Sequence, residues 1–111
     1  MEKLQQEFAK SWAAARAEME TRNVGAKRME TACRDLGDLA AAKRILGGRR
    51  CSDGFDALAK QGRLDLTVEA LACRGKFGPL FSDEEVNTAL ERLLEAGYRF
   101  CAMFLRRGAF L

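Results

Sequence analysis

The chain has 111 residues, 48% of them hydrophobic and 32% charged, with one proline and no histidine. That length fits one domain with a real core, and the composition excludes a disordered chain. The missing histidine excludes catalytic triads and dyads and most zinc sites, and the net charge of +3 falls short of the strong basic excess of a nucleic-acid module.

Residues 2–22 read as one helix. Leu4, Phe8, Trp12, Ala15 and Met19 recur at spacings of three and four, a stripe about 80° wide at 100° per residue. Asn23 and Gly25 supply its stop. Residues 26–46 read as a second helix with Met29, Ala32, Cys33, Leu36, Leu39, Ala40 and Leu46 on one side. Gly37 weakens it, so a kink or break is expected there, with Asp38 as N-cap of the restart. Lys43 falls on the apolar side, where its stem would snorkel.

Gly47-Gly48-Arg49-Arg50 is a loop. Ser52 is expected to cap a short helix carrying Phe55, Leu58 and Ala59 and ending at Gly62. Asp65 or Thr67 opens another to Cys73, apolar in most directions and therefore buried. Residues 75–81 read as irregular because Gly78-Pro79 opposes a helix. Ser82-Asp83-Glu84-Glu85 is a capping box for a helix from Asp83 to about Ala96, with Val86, Ala89, Leu90, Leu93 and Leu94 inward and Gly97 as terminator. Residues 98–105 favour a last helix, with a strand as the alternative. The expected fold is a single all-α domain over 1–111 of five to six helices: a long helical pair over 1–50, as a long N-terminal helix or hairpin, then a short-helix bundle over 51–111.

Charge is uneven along the chain. Residues 1–50 hold 11 Lys/Arg against 7 Asp/Glu, and residues 51–111 hold 8 against 9, which places any anion-binding surface in the N-terminal half. Lys43, Arg44, Arg49 and Arg50 flank the Gly-Gly turn, and Lys27, Arg28 and Arg34 extend the patch, which Glu30, Asp35 and Asp38 dilute. Glycines there let backbone amides approach an anion, although the Gly-Lys-Ser/Thr ending of a phosphate-binding loop is missing. The helix from Asp83 carries five acids against Arg92 alone. A helix of that charge is repelled by a nucleic-acid backbone, and eight residues separate it from the preceding helix where a helix-turn-helix allows three or four.

The Leu4, Phe8, Trp12, Met19 seam is the main interaction candidate. A narrow apolar stripe needs a helix beside it, either within the chain or in a second copy or partner. Phe77, Leu80 and Phe81 with Phe100 and Phe104 read as core, with a pocket as the alternative. Cys33, Cys51, Cys73 and Cys101 form no Cys-x-x-Cys pair and are expected as buried reduced thiols. No metal or cofactor is expected, and no nucleophile has a base beside it, so the chain does not read as an enzyme. The longest uncharged stretch near the N-terminus, Ser11 to Ala15, is too short for a secretory or membrane segment; the cytoplasm is the expected location.

Ser52-Asp53-Gly54-Phe55, the run Gly62 to Leu71, Leu80-Phe81-Ser82 and Gly97-Tyr98 together resemble a segment, residues 52–98 here, of small uncharacterised helical proteins of bacteria and mobile elements. That resemblance implies no activity or ligand; it implies the company of phage-type regulators and inhibitors of host complexes. The expected function is a non-enzymatic binding protein whose partner is another protein, with a homodimer through the first helix included. Nucleic-acid backbone contact through the basic patch is the alternative.

Overall fold

A computed structural model describes residues 2–97. Six α-helices follow in order: α1 (Glu2–Thr21), α2 (Lys27–Leu36), α3 (Asp38–Gly47), α4 (Phe55–Lys60), α5 (Val68–Ala72) and α6 (Asp83–Glu95). Short 3-10 turns span Leu64–Leu66 and Gly75–Leu80, and the described residues contain no strand. The all-α expectation holds. Residues 98–105, with Phe100, Cys101 and Phe104, lie outside the described residues.

The stripe on α1 faces inward. Phe8, Trp12 and Met19 are fully buried and Ala15 nearly so, with Leu4 half-buried at the edge. Their cover is the chain itself. The Phe8 ring meets Phe77 at 5.3 Å and Phe81 at 5.4 Å, both edge-on, and tilts against Trp12 at 5.8 Å, the separations aromatic pairs prefer. α1 lies on α3, α5 and the two 3-10 turns, whereas α2 packs mainly on α3. The helix beside α1 is thus α3 rather than the whole of residues 26–46, which do not form one rod. Gly37 (φ 90°) breaks them. Asp38 is the first residue of α3 rather than its cap, because the left-handed Gly37 occupies the cap position.

Residues 75–81, expected to be irregular, are wound as two successive turns. Phe77 N–H donates to Arg74 O at 3.0 Å and Phe81 N–H to Gly78 O at 3.1 Å. Pro79 sits second in the latter turn, where its fixed φ helps and its missing N–H is not needed. The turns deliver Phe77, Leu80 and Phe81 to the core, so the core reading of these three stands and the pocket reading does not.

Two caps form as expected. Thr67 Oγ1 accepts from Ala70 N at the start of α5, and Ser82 and Glu85 form a reciprocal capping box on α6. Ser52 does not cap α4; Gly54 (φ 75°) holds that position. Gly54 is also packed: a methyl there would overlap Val24 Cγ1 and come within 2.9 Å of Met19 Cε. On α6, Ala89 and Leu93 are buried as expected, but Leu94 is 55% exposed and Arg92 turns inward instead.

Candidate functional site: a basic face held by a buried ion pair

α5 sits so centrally that all five of its residues are buried, Glu69 included, at 0% exposure. A carboxylate in that position costs several kcal/mol of lost hydration unless its lone pairs are matched. They are matched. Ser52 Oγ donates to Glu69 Oε1 at 2.6 Å, and Ser52 N–H and Arg92 Nη1 donate to Oε2 at 2.9 and 3.1 Å. Arg92, from α6, also donates to Gly48 O at 2.6 Å and Ile45 O at 3.3 Å. Two buried charges therefore clamp the segment after α3 at Gly48 and at Ser52.

A third tie lies one residue on. Asp53 Oδ2 accepts from the backbone N–H groups of Arg28 (2.8 Å) and Met29 (3.1 Å). These are free donors of the first turn of α2, whose own N-cap residue, Ala26, offers no side-chain acceptor. A carboxylate is favoured there by the helix dipole. Residues 48–53 are fixed at both ends, and Arg49, Arg50 and Cys51 between the ties are exposed.

That loop, α2 and α3 enclose a cleft of about 440 Å³ with Met29, Ala32, Ala41 and Ile45 as its floor and Arg28, Arg44, Arg49 and Arg50 around it. Adjoining hollows carry the face on to Lys27 and Leu36. Five of the seven basic candidates therefore come together, Lys27, Arg28, Arg44, Arg49 and Arg50, whereas Arg34 lies 3.9 Å from Asp35. All five are exposed, and among the described residues none has a carboxylate within ion-pair distance. Lys43 does not join them. Its Nζ bonds Glu85 Oε1 at 2.8 Å and Leu80 O at 3.2 Å and lies over the Phe81 ring, closing α3 onto the start of α6. Burial raises the Glu85 carboxyl, but hydrogen bonds from Lys43 and Ser82, with the Lys43 charge, outweigh it and hold Glu85 below its ordinary value.

The interaction seam stands corrected. Phe8, Trp12 and Met19 are at 0% exposure, so no second copy or partner reaches them without unfolding the chain. The stripe was read correctly as an apolar face, but Phe77 and Phe81 cover it from turns that a helical periodicity does not reveal. Trp12 Nε1 is buried and, among the described residues, has no hydrogen-bond partner, while the Arg16 guanidinium lies 4.9 Å over its ring.

Of the cysteines, Cys33, Cys51 and Cys73 are free thiols. Cys33 and Cys73 are half-buried as small apolar groups, whereas Cys51 is exposed on the loop, against expectation. Burial pushes Cys33 up to about 11 despite the nearby Arg16 charge. Burial, then Glu69, pushes Cys73 up to about 12 and raises Cys51 as well. All three are held in the protonated, weakly nucleophilic form at neutral pH. Among the described residues no group of three or more Cys, Asp or Glu side chains is placed to hold a metal, and no helix is long and apolar enough to cross a membrane.

Sequence reasoning missed Glu69, Arg92 and the use of Ser52 and Asp53. The available signal was a lone glutamate in the otherwise apolar run from Val68 to Ala72: an acid on a helix buried all round requires a buried cation. With Arg92 turned inward, Asp83, Glu84, Glu91 and Glu95 are exposed on α6, leaving its outer side acidic. Compared with known proteins, this chain matches no family model, no curated protein and no solved structure.

Proposed function

We propose that this chain is a small non-enzymatic binding protein that docks another protein on the basic face of α2, α3 and residues 48–53. One observation carries the reading: five cations that, among the described residues, have no carboxylate partner share a concave face, and a buried ion pair fixes the loop that bears two of them. Like charges held together disfavour the isolated chain and are relieved when an anionic surface arrives. Occupying another protein's surface is how a chain of this size regulates or inhibits a complex, in keeping with the resemblance of residues 52–98.

Nucleic-acid backbone contact is the second reading, favoured by the exposure of Arg44, Arg49 and Arg50 next to Lys27 and Arg28. It is opposed by Glu30 and Asp35 on the exposed side of α2 and by the acidic side of α6. Nuclease-treated host extract passed over wild type and over Arg44→Glu/Arg49→Glu/Arg50→Glu separates the two. A protein retained by wild type and lost from the folded variant supports docking. Retention abolished by nuclease, with oligonucleotide affinity falling steeply as salt rises, supports the second reading.

A further inference from the structure

We infer that the cleft between α2, α3 and residues 48–53 receives an acidic polypeptide segment that seats an apolar side chain on the cleft floor. The inference rests on the docking reading above and names the partner's chemistry. The accessible floor is apolar: it is Ala32 and Ile45, both half-buried, with Met29 (2% exposed) and Ala41 (0%) packed beneath them. Its volume, about 440 Å³, is that of a small-ligand pocket, enough for one large side chain and part of a second.

The donors that a phosphate would need at the bottom are already taken. Arg28 and Met29 N–H groups bond Asp53, and Ser52 N–H and Oγ bond Glu69. The Asp53 carboxylate in the wall further disfavours a multiply charged phosphate seated deeply. Among the described residues none that lines this cleft is aromatic, and single-stranded nucleic acid is held by stacking bases on aromatic rings. What remains are guanidinium groups at the rim, matched to carboxylates by geometry and charge, above an apolar floor. Leu36, 44% exposed in the hollow that continues past Arg44, extends the apolar track along α2, and because Asp35 also lines that hollow the segment's carboxylates are placed at Arg28 and Arg44 rather than at that end. A short amphipathic acidic segment satisfies both parts at once.

Fluorescence anisotropy tests this with three labelled probes at low salt. One is a twelve-residue peptide of glutamates flanking two central leucines. The second has serines in place of the leucines, and the third is a twelve-nucleotide oligothymidylate. The leucine peptide is expected to bind wild type at least about ten-fold more tightly than either other probe. Arg28→Glu/Arg44→Glu is expected to weaken it about ten-fold or more. Ala32→Trp, which fills the cleft from half-exposed α2 without changing charge, should weaken the leucine peptide but not the serine peptide. Far-UV circular dichroism confirms that each variant is folded. Equal affinity for both peptides, tighter binding of the oligonucleotide, or no binding of the leucine peptide each overturns the inference. A host protein still lost from the Arg44/Arg49/Arg50 reversal variant when no peptide binds would leave docking intact and remove only this account of the partner.

Discussion

Replacing Arg92 with methionine removes the one cation that, among the described residues, bonds Glu69, while keeping most of the side-chain volume. The carboxylate, at 0% exposure, retains only the two Ser52 donors. The loss centres on Glu69, because Gly48, which also loses its Arg92 bond, is exposed and its carbonyl can turn to water. Breaking one side of a buried pair costs about 3–5 kcal/mol. The whole stability of a domain this size is about 5–15 kcal/mol, so the variant loses at least about a fifth of it. At about 4 °C per kcal/mol the midpoint falls by about 12–20 °C, read by circular dichroism at 222 nm. Glu69→Leu/Arg92→Met removes both charges and should recover most of that loss. Recovery of stability does not recover the clamp: Ser52 N–H loses its carboxylate acceptor and exchanges faster with solvent in the double variant. A single-variant cost below about 1 kcal/mol, or a double variant no more stable than the single, refutes the buried pair as described.

Phe8→Ala and Trp12→Ala should each cost about 3–5 kcal/mol as core cavities; a loss of partner binding with unchanged thermal stability would contradict their burial. Gly54→Ala combines a left-handed φ with overlap at Val24 and should cost about 2–4 kcal/mol, seen in urea midpoints; a neutral result contradicts the close approach of residues 19–25 to the start of α4. Glu85, held below its ordinary value of 4.5, stabilises the fold above that pH, and the contribution disappears as pH falls through its lower folded value. Lys43→Met should therefore reduce urea stability at pH 7 but progressively less below pH 4.5; a constant difference across that range would sink the assignment. Mass-mapped thiol alkylation of the native chain should modify Cys51 before Cys33, and Cys73 last; Cys73 reacting as fast as Cys51 contradicts its burial.

The features legible in the sequence are local ones. The capping box at Ser82 and Glu85, the break at Gly37 and the α1 stripe each depend on residues within a turn or two of one another, and all three form. What could not be read is what crosses the chain. Phe77 and Phe81 cover α1 from turns that carry no helical period. Glu69 and Arg92 meet from positions 23 residues apart, and with that pairing α6 turns Arg92 inward and leaves Leu94 exposed. Ser52 and Asp53 look like helix-cap residues for the segment that follows them; both instead serve elements remote in sequence, α5 and α2. The basic candidates were identifiable from charge alone, but their concavity depends on that pairing, and Lys43 leaves the group because Glu85 comes within 2.8 Å of it.

Chemical-shift mapping of the isotope-labelled protein against the glutamate–leucine peptide probes the working surface residue by residue. The amide signals of residues 27–36 and 41–53 should move together and saturably, with those of exposed α6 residues unchanged. Shifts confined to α6, or scattered without saturation, would contradict the proposed docking on the face clamped by Glu69 and Arg92.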